Sequence, residues 1–312
     1  MIQQYRTNQK RELEPCNEMG KNRWIDLLNP SLEEIEEISA QTKIDKDLFI
    51  KVLDDDEVSR IEQGDEGIMI IVSVPYIQDQ TAKNRYQTTP LGILIGQDSI
   101  VTISTKNHTI LEDFYSNTVK EFDTAKRTRM VIQLLYKIAT KYLICLKEIN
   151  TELIQKEHLL YHMTQNKELI NLLNVEKSLV YFITSLKSND IVLEKLKLGS
   201  LLTLYEEDVE LLNDAMIENK QGMEMANIYR EILTSMSNTY ATIISNNLNI
   251  IMKFLAGITI VLSIPTIIAS FLGMNVPLGI LSNNPWAFLG IGIFATFISI
   301  LVAIILKKKN MM

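Results

Sequence analysis

The chain has 312 residues, with 31 Lys and Arg against 38 Asp and Glu and a formal net charge of −7, a balance that argues against nucleic acid as a partner. Its two cysteines, Cys16 and Cys145, lie far apart and without metal-ligand spacing, so they read as reduced cytosolic residues, with Cys145 in a helix core. There is no Gly-x-x-x-x-Gly-Lys-Ser/Thr loop, no His-Glu-x-x-His and no Gly-x-Ser-x-Gly, so neither an enzyme nor an organic cofactor is expected.

Met1 to Glu14 is polar and mixed in charge, with no apolar signal region, so membrane insertion is expected to rely on the C-terminal end. Trp24 to Leu27 reads as a short strand. Pro30-Ser31 opens a helix, since Ser31 and Glu34 have capping-box spacing and Leu32, Ile35 and Ile38 form its apolar stripe. A second short helix covers about Asp47 to Leu53. The acidic run Asp54-Asp55-Asp56-Glu57 lacks the Asp-x-Asp-x-Asp-Gly order of a calcium loop and reads as a solvated turn. Strands follow at Gly67 to Tyr76, Leu91 to Ile95 and Ser99 to Ser104, and a helix runs from Asn107–Thr109 through Phe122. Residues 1–125 therefore form an α/β domain large enough to bury its own core.

From Lys126 the chain turns helical. Met130, Leu134, Ile138 and Cys145 keep a helical period, as do Leu169, Leu172, Leu173, Leu179 and Phe182. Turns are expected at His162 to Gln165 and at Ser188-Asn189-Asp190, making 126–202 a helical hairpin region. Glu157, His158 and His162 offer no third strong ligand and read as ordinary surface. Gly199 weakens the helix, and Thr203 with Glu206 repeats the capping-box spacing. From Thr203 to Leu272 the only proline is Pro265, so one helix of 70 residues, about 105 Å long, is predicted. Residues 203–253 would be its cytoplasmic part. Such a rod makes sense as a stalk in an oligomeric ring.

Phe254 to Leu306 carries no charge and divides into apolar runs of 19 residues (254–272) and 22 residues (285–306), roughly 28 and 33 Å as helices. Two transmembrane helices joined by the loop 273–284 are predicted. Lys253 and the tail 307–312, with Lys307, Lys308 and Lys309, put the basic ends on one side, so both termini face the cytoplasm. The first span is not uniformly apolar. Steps of four and three residues give Asn238, Thr242, Ser245, Asn249, Met252, Ala256, Thr259, Ser263, Thr266 and Ser270, a period of about 3.5 over nine turns. Small-residue packing between membrane helices explains a few of these. The whole stripe reads better as a water-facing wall, and two spans per chain enclose a pore only as a ring of copies. Gly290 and Gly292, in the second span, fit close helix packing.

Gly273-Met274-Asn275, placed after a first span and before a second that ends in Lys-Lys-Lys, resembles the CorA family of magnesium transporters. Trp24-Ile25-Asp26-Leu27, Ser59-Arg60-Ile61-Glu62 and Asn249 with Met252-Lys253 resemble the same family. The resemblance implies a funnel-shaped homopentamer in the plasma membrane that carries Mg2+, with Co2+ or Ni2+ as further cargo, and is gated by cytosolic Mg2+. It assigns ion selection to Gly273, Met274 and Asn275, and an apolar constriction to Met252 and Leu255. Asn249 would form a polar ring at the inner mouth, with Thr259, Ser263, Thr266 and Ser270 on the wall between. For a regulatory cation the family position is Asp214. Its partner position falls on Lys51, so either Asp54, Asp55 and Asp56 take over or Lys51 pairs with Asp214. The loop after Asn275 also lacks the family's usual acid. The alternatives are a zinc transporter of the same superfamily and a membrane-anchored sensor or scaffold.

Overall fold

A computed structural model describes residues 1–16, 20–64, 67–78, 85–159, 166–199, 201–274 and 286–309, with side chains outside 156–169. The chain divides into two units, Met1–Met236 and Ser237–Met312.

The first unit is built on a seven-stranded sheet of order β2-β1-β3-β7-β6-β5-β4. Its strands are β1 (Ile2–Thr7), β2 (Leu13–Pro15), β3 (Arg23–Leu28), β4 (Arg60–Gly64), β5 (Gly67–Ile77), β6 (Tyr86–Ile95) and β7 (Ser99–Ser104). β3 and β7 pair in parallel and every other neighbour is antiparallel. Successive side chains point to opposite faces of a strand. Ile25, Leu27, Met69, Ile71, Leu94, Val101 and Ile103 therefore share one core with Ile35, Ile38, Leu48, Phe49 and Val52 of α1 (Leu32–Thr42) and α2 (Lys46–Val52). Gly92 sits under this layer. A Cβ there would lie 2.5 Å from Val52 Cγ2 and 2.8 Å from Ile103 Cγ2, so only glycine lets α2 approach the sheet.

The capping box that opens α1 is present in full. Ser31 Oγ accepts from Glu34 N at 3.2 Å, and Glu34 Oε2 accepts from Ser31 N at 2.9 Å. Leu32, expected in the apolar stripe, is exposed, while Ile35 and Ile38 are fully buried. On the opposite face of β3, Trp24 Nε1 donates to Thr102 Oγ1 at 2.9 Å. Thr102 in turn donates to Asp26 Oδ1 at 2.5 Å, and Tyr115 OH to Asp26 Oδ2 at 2.7 Å. Burial pushes the Asp26 carboxyl above its ordinary range even so. Tyr5, Trp24 and Tyr115 stack beside it. The Trp-Ile-Asp-Leu stretch is thus part of the core.

Several boundaries differ from the expectations. α3 (Thr109–Tyr115) stops well before Phe122. Ser116 Oγ and Thr118 Oγ1 donate to carbonyls of its last turns, and Asn117 adopts φ 58 while its Oδ1 accepts from Leu13 N. α4 (Arg127–Leu159) and α5 (Asn166–Lys197) cover the second face. Cys145 is buried in α4, and burial pushes its thiol up to about 12. Leu172, Leu179 and Phe182 of α5 are buried, whereas Leu173 is exposed. No turn occurs at Ser188-Asn189-Asp190. α5 runs through it, because Asn189 is buried against the sheet and its amide is used there: Oδ1 accepts from Ser59 Oγ and Ser73 N, and Nδ2 donates to Ser73 O. The expected turn at 162–165 lies outside the described residues. Gly199 has φ 69 just after α5 ends. α6 (Glu206–Leu272) begins after Tyr205, whose carbonyl accepts from Val209 N, so Thr203 stands ahead of the helix and does not cap it.

The second unit holds the remainder of α6 and α7 (Ala287–Lys308). Both helices are long and apolar enough to cross a membrane, and their apolar windows are only 6% and 17% buried, unlike the core helix of a soluble protein. Pro265 lies inside α6. Burial in these spans falls mainly on small residues, Gly257 of α6 and Ala295 and Ser299 of α7.

Candidate ion pathway

The stripe of small and polar residues lies along one helix, so local geometry defines it. Thr259 Oγ1 donates to Leu255 O at 2.8 Å, Ser263 Oγ to Thr259 O at 2.7 Å and Thr266 Oγ1 to Leu262 O at 3.1 Å. Thr242 does the same to Asn238 O at 2.9 Å. Each hydroxyl proton is used within the helix, which leaves the oxygen lone pairs directed outward as acceptors. A wall of acceptors suits donors, and the water shell of a cation presents only donors. Two depressions follow the stripe. One, about 570 Å³, is lined by Met252, Leu255, Ala256, Thr259 and Ser263 together with Ile260, Ile264 and Ile267. The other, about 480 Å³, is lined by Ala241, Thr242, Ser245, Asn246 and Asn249. Asn246 is skipped by steps of four and three; the amide-rich run Asn246-Asn247-Leu248-Asn249 was the signal for it.

At the far end, Gly273 N donates to Ala269 O at 2.9 Å, one last helical bond beyond Leu272, and Met274 is exposed. Ser270 is exposed on the final turn. Asn275 lies outside the described residues.

The expected regulatory acids are not gathered within one chain. Asp54 Oδ1 accepts from Asp56 N at 3.0 Å, closing a local turn, and Asp55 Oδ1 accepts from Thr105 Oγ1 at 2.7 Å. Asp214 is exposed on α6. Among the described residues no three His, Cys, Asp or Glu are grouped to hold a metal ion. Lys51 Nζ is 2.6 Å from Glu62 Oε1, and this bond holds the Glu62 carboxyl below its usual range. The sequence does not point to Glu62 as its partner, because β4 does not stand out there. The side chains of Glu157, His158 and His162 lie outside the description.

A family model described as CorA-like Mg2+ transporter protein matches residues 20–309. The chain belongs to the CorA-like Mg2+ transporter family. It is 30% identical over 275 residues to the cobalt/magnesium transport protein CorA of Methanocaldococcus jannaschii, covering 85% of this chain and 83% of that protein. The complete structure of the CorA magnesium transporter from the same organism matches with a TM-score of 0.84 at 25% identity, over 98% of this chain and 96% of that one. The cytoplasmic domain of ZntB from Vibrio parahaemolyticus matches at 10% identity with a TM-score of 0.62, over 79% of this chain and 97% of that one, a likeness of fold alone. As a CorA-family protein the chain is a membrane transport protein for divalent cations, and its two apolar helices are the candidate spans.

Proposed function

We propose that this chain assembles as a homopentamer in the plasma membrane, both termini cytoplasmic, and conducts hydrated Mg2+ inward down the membrane potential. Co2+ and Ni2+ would be further cargo. The observation that carries the reading is the open row of hydroxyl oxygens on α6, each with its proton already committed to the helix. Mg2+ gives up its water reluctantly and prefers oxygen neighbours. A pore that accepts hydrogen bonds from the shell lets the ion pass without stripping it.

In this reading five copies of Asn275, set by Gly273 and Met274, offer amide oxygens at the outer mouth. Thr266, Ser263 and Thr259 hydrate the path, and Ser270 lies near its outer end. Met252 and Leu255 form the narrow apolar section, able to close by dewetting. Asn249 rings the inner mouth. The driving force needs no second substrate: a potential of about 100 mV favours a divalent ion by about 4.6 kcal/mol, roughly a 2,000-fold ratio. Closure would come from cytosolic Mg2+ bound between protomers at Asp214 and the Asp54, Asp55 and Asp56 turn. The Lys51–Glu62 pair supports that choice, since Lys51 already has a carboxylate of its own chain.

The alternative, a zinc transporter of the same superfamily, has only a likeness of fold to the ZntB domain beside it. Cation influx into liposomes carrying the purified chain separates the two, with Mg2+, Co2+ and Zn2+ compared with and without a proton gradient. Mg2+ influx that needs no proton gradient is expected. Zn2+ influx without any Mg2+ influx would replace the proposal.

A further inference from the structure

The start of α6 is anchored unlike the rest of the helix in its unit. From Glu206 to Leu211 the one buried side chain is a carboxylate, Asp208, only 4% exposed. Within α6 apolar anchoring begins a turn later with Leu212, Ala215 and Met216, and ahead of the helix Leu202 is buried. Asn219 adds a polar anchor there, its Nδ2 donating to Leu186 O at 3.0 Å. Asp208 instead meets Arg129 of α4 at 3.6 Å. The same guanidinium takes Glu207 at 3.1 Å and also binds Glu121. Glu121 has φ 54, a left-handed conformation uncommon for its type. Arg129 is 13% exposed, and its Nε has no acceptor.

Three carboxylates thus share one guanidinium. Beside them opens a cavity of about 910 Å³ lined in part by Arg129, Leu202, Tyr205, Glu206 and Asp208. Two features separate this hub from a fixed structural contact. Its strength depends on charge, since Glu121 and Glu207 are solvent-exposed and open to screening. And Asp208 lines that cavity, so once released it has space to turn into, where water can solvate it and relieve the usual penalty of leaving a buried carboxylate without its cation.

We propose that Arg129 is a release latch for the beginning of α6. Closed, it holds residues 201–211 on the start of α4; open, that segment moves into the adjoining cavity while the helix stays fixed from Leu212 onward. The latch stands apart from the transport reading. It bears on transport only because α6 also carries the hydroxyl stripe.

Hydrogen exchange of the full chain in detergent tests it, read separately over 201–211 and 212–236. Arg129→Gln is expected to speed exchange of 201–211 by roughly tenfold or more and leave 212–236 near wild type, with Arg129→Lys intermediate. Molar salt should speed the first segment in wild type and not in Arg129→Gln. Wild-type rates over 201–211 in both variants would overturn the proposal, as would equal acceleration of both segments. Should Arg129→Gln fail to fold, Arg129→Lys and the salt series on wild type decide alone: no acceleration in either overturns the latch.

Discussion

Asn189→Ala should destabilise the first unit by about 3 kcal/mol, at roughly 1 kcal/mol for each side-chain hydrogen bond removed. The bonds are Ser59 Oγ to Oδ1 at 2.8 Å, Ser73 N to Oδ1 at 3.0 Å and Nδ2 to Ser73 O at 2.8 Å. The loss stays near that figure, short of a doubled one, because Ser73 keeps other partners. Its N–H still reaches Ser59 Oγ at 3.0 Å, and its carbonyl still accepts from Tyr142 OH at 3.0 Å. For a unit of this size each kcal/mol moves the midpoint by about 2–4 °C, so a drop of about 6–12 °C is expected. Asn189→Asp should do worse, since it sets a carboxylate oxygen against the Ser73 carbonyl in a buried place. Thermal unfolding of the purified chain, followed by tryptophan fluorescence with buried Trp24 as the reporter, measures both. A drop of less than about 2 °C for Asn189→Ala, or Asn189→Asp milder than Asn189→Ala, would refute the reasoning.

Met252→Asp should wet the apolar section and raise leak current at high internal Mg2+; currents equal to wild type would place the constriction elsewhere. In Mg2+ titrations, Lys51→Asp should strengthen inhibition by cytosolic Mg2+ and Asp214→Lys should weaken it, and identical curves for both variants and wild type would remove that interface as the sensor. His108 is buried, which pushes its imidazole down to about 4. A base with a lowered folded pKa is fully compatible with folding above its unfolded value and costs stability as pH falls from about 6.5 toward 4. The chain should thus lose about 1.4 kcal/mol from this group between pH 7.5 and 5.5. His108→Gln should lose less than wild type over that interval in urea unfolding, and equal losses would show that His108 is not the titrating group.

What was legible in the sequence was local. The Ser31–Glu34 box, strand β7, the unbroken α6 and the two apolar runs depend on residues a few positions apart, and periodicity or capping reveals them. The hydroxyl stripe was readable for the same reason, since a single helix presents it. Distant partners hid the rest. β1 and β2 are polar, and their pairing, such as Tyr5 with Pro15, has no apolar alternation to announce it. Ser188-Asn189-Asp190 carries the polarity of a turn, yet Asn189 is satisfied by Ser59, 130 positions away. The acids at the start of α6 look like one uncompensated row, but Arg129, 78 positions before Glu207, takes two of them.

Ion selection at Asn275 is tested most directly by potential-driven Mg2+ uptake into liposomes carrying wild type or Asn275→Ala. With an inside-negative potential imposed, wild type should accumulate Mg2+ well beyond its level without the potential. Asn275→Ala should show almost no uptake while keeping the oligomer size of wild type. Wild-type uptake by Asn275→Ala, or uptake by wild type that ignores the potential, would contradict a hydrated Mg2+ path selected at Gly273-Met274-Asn275.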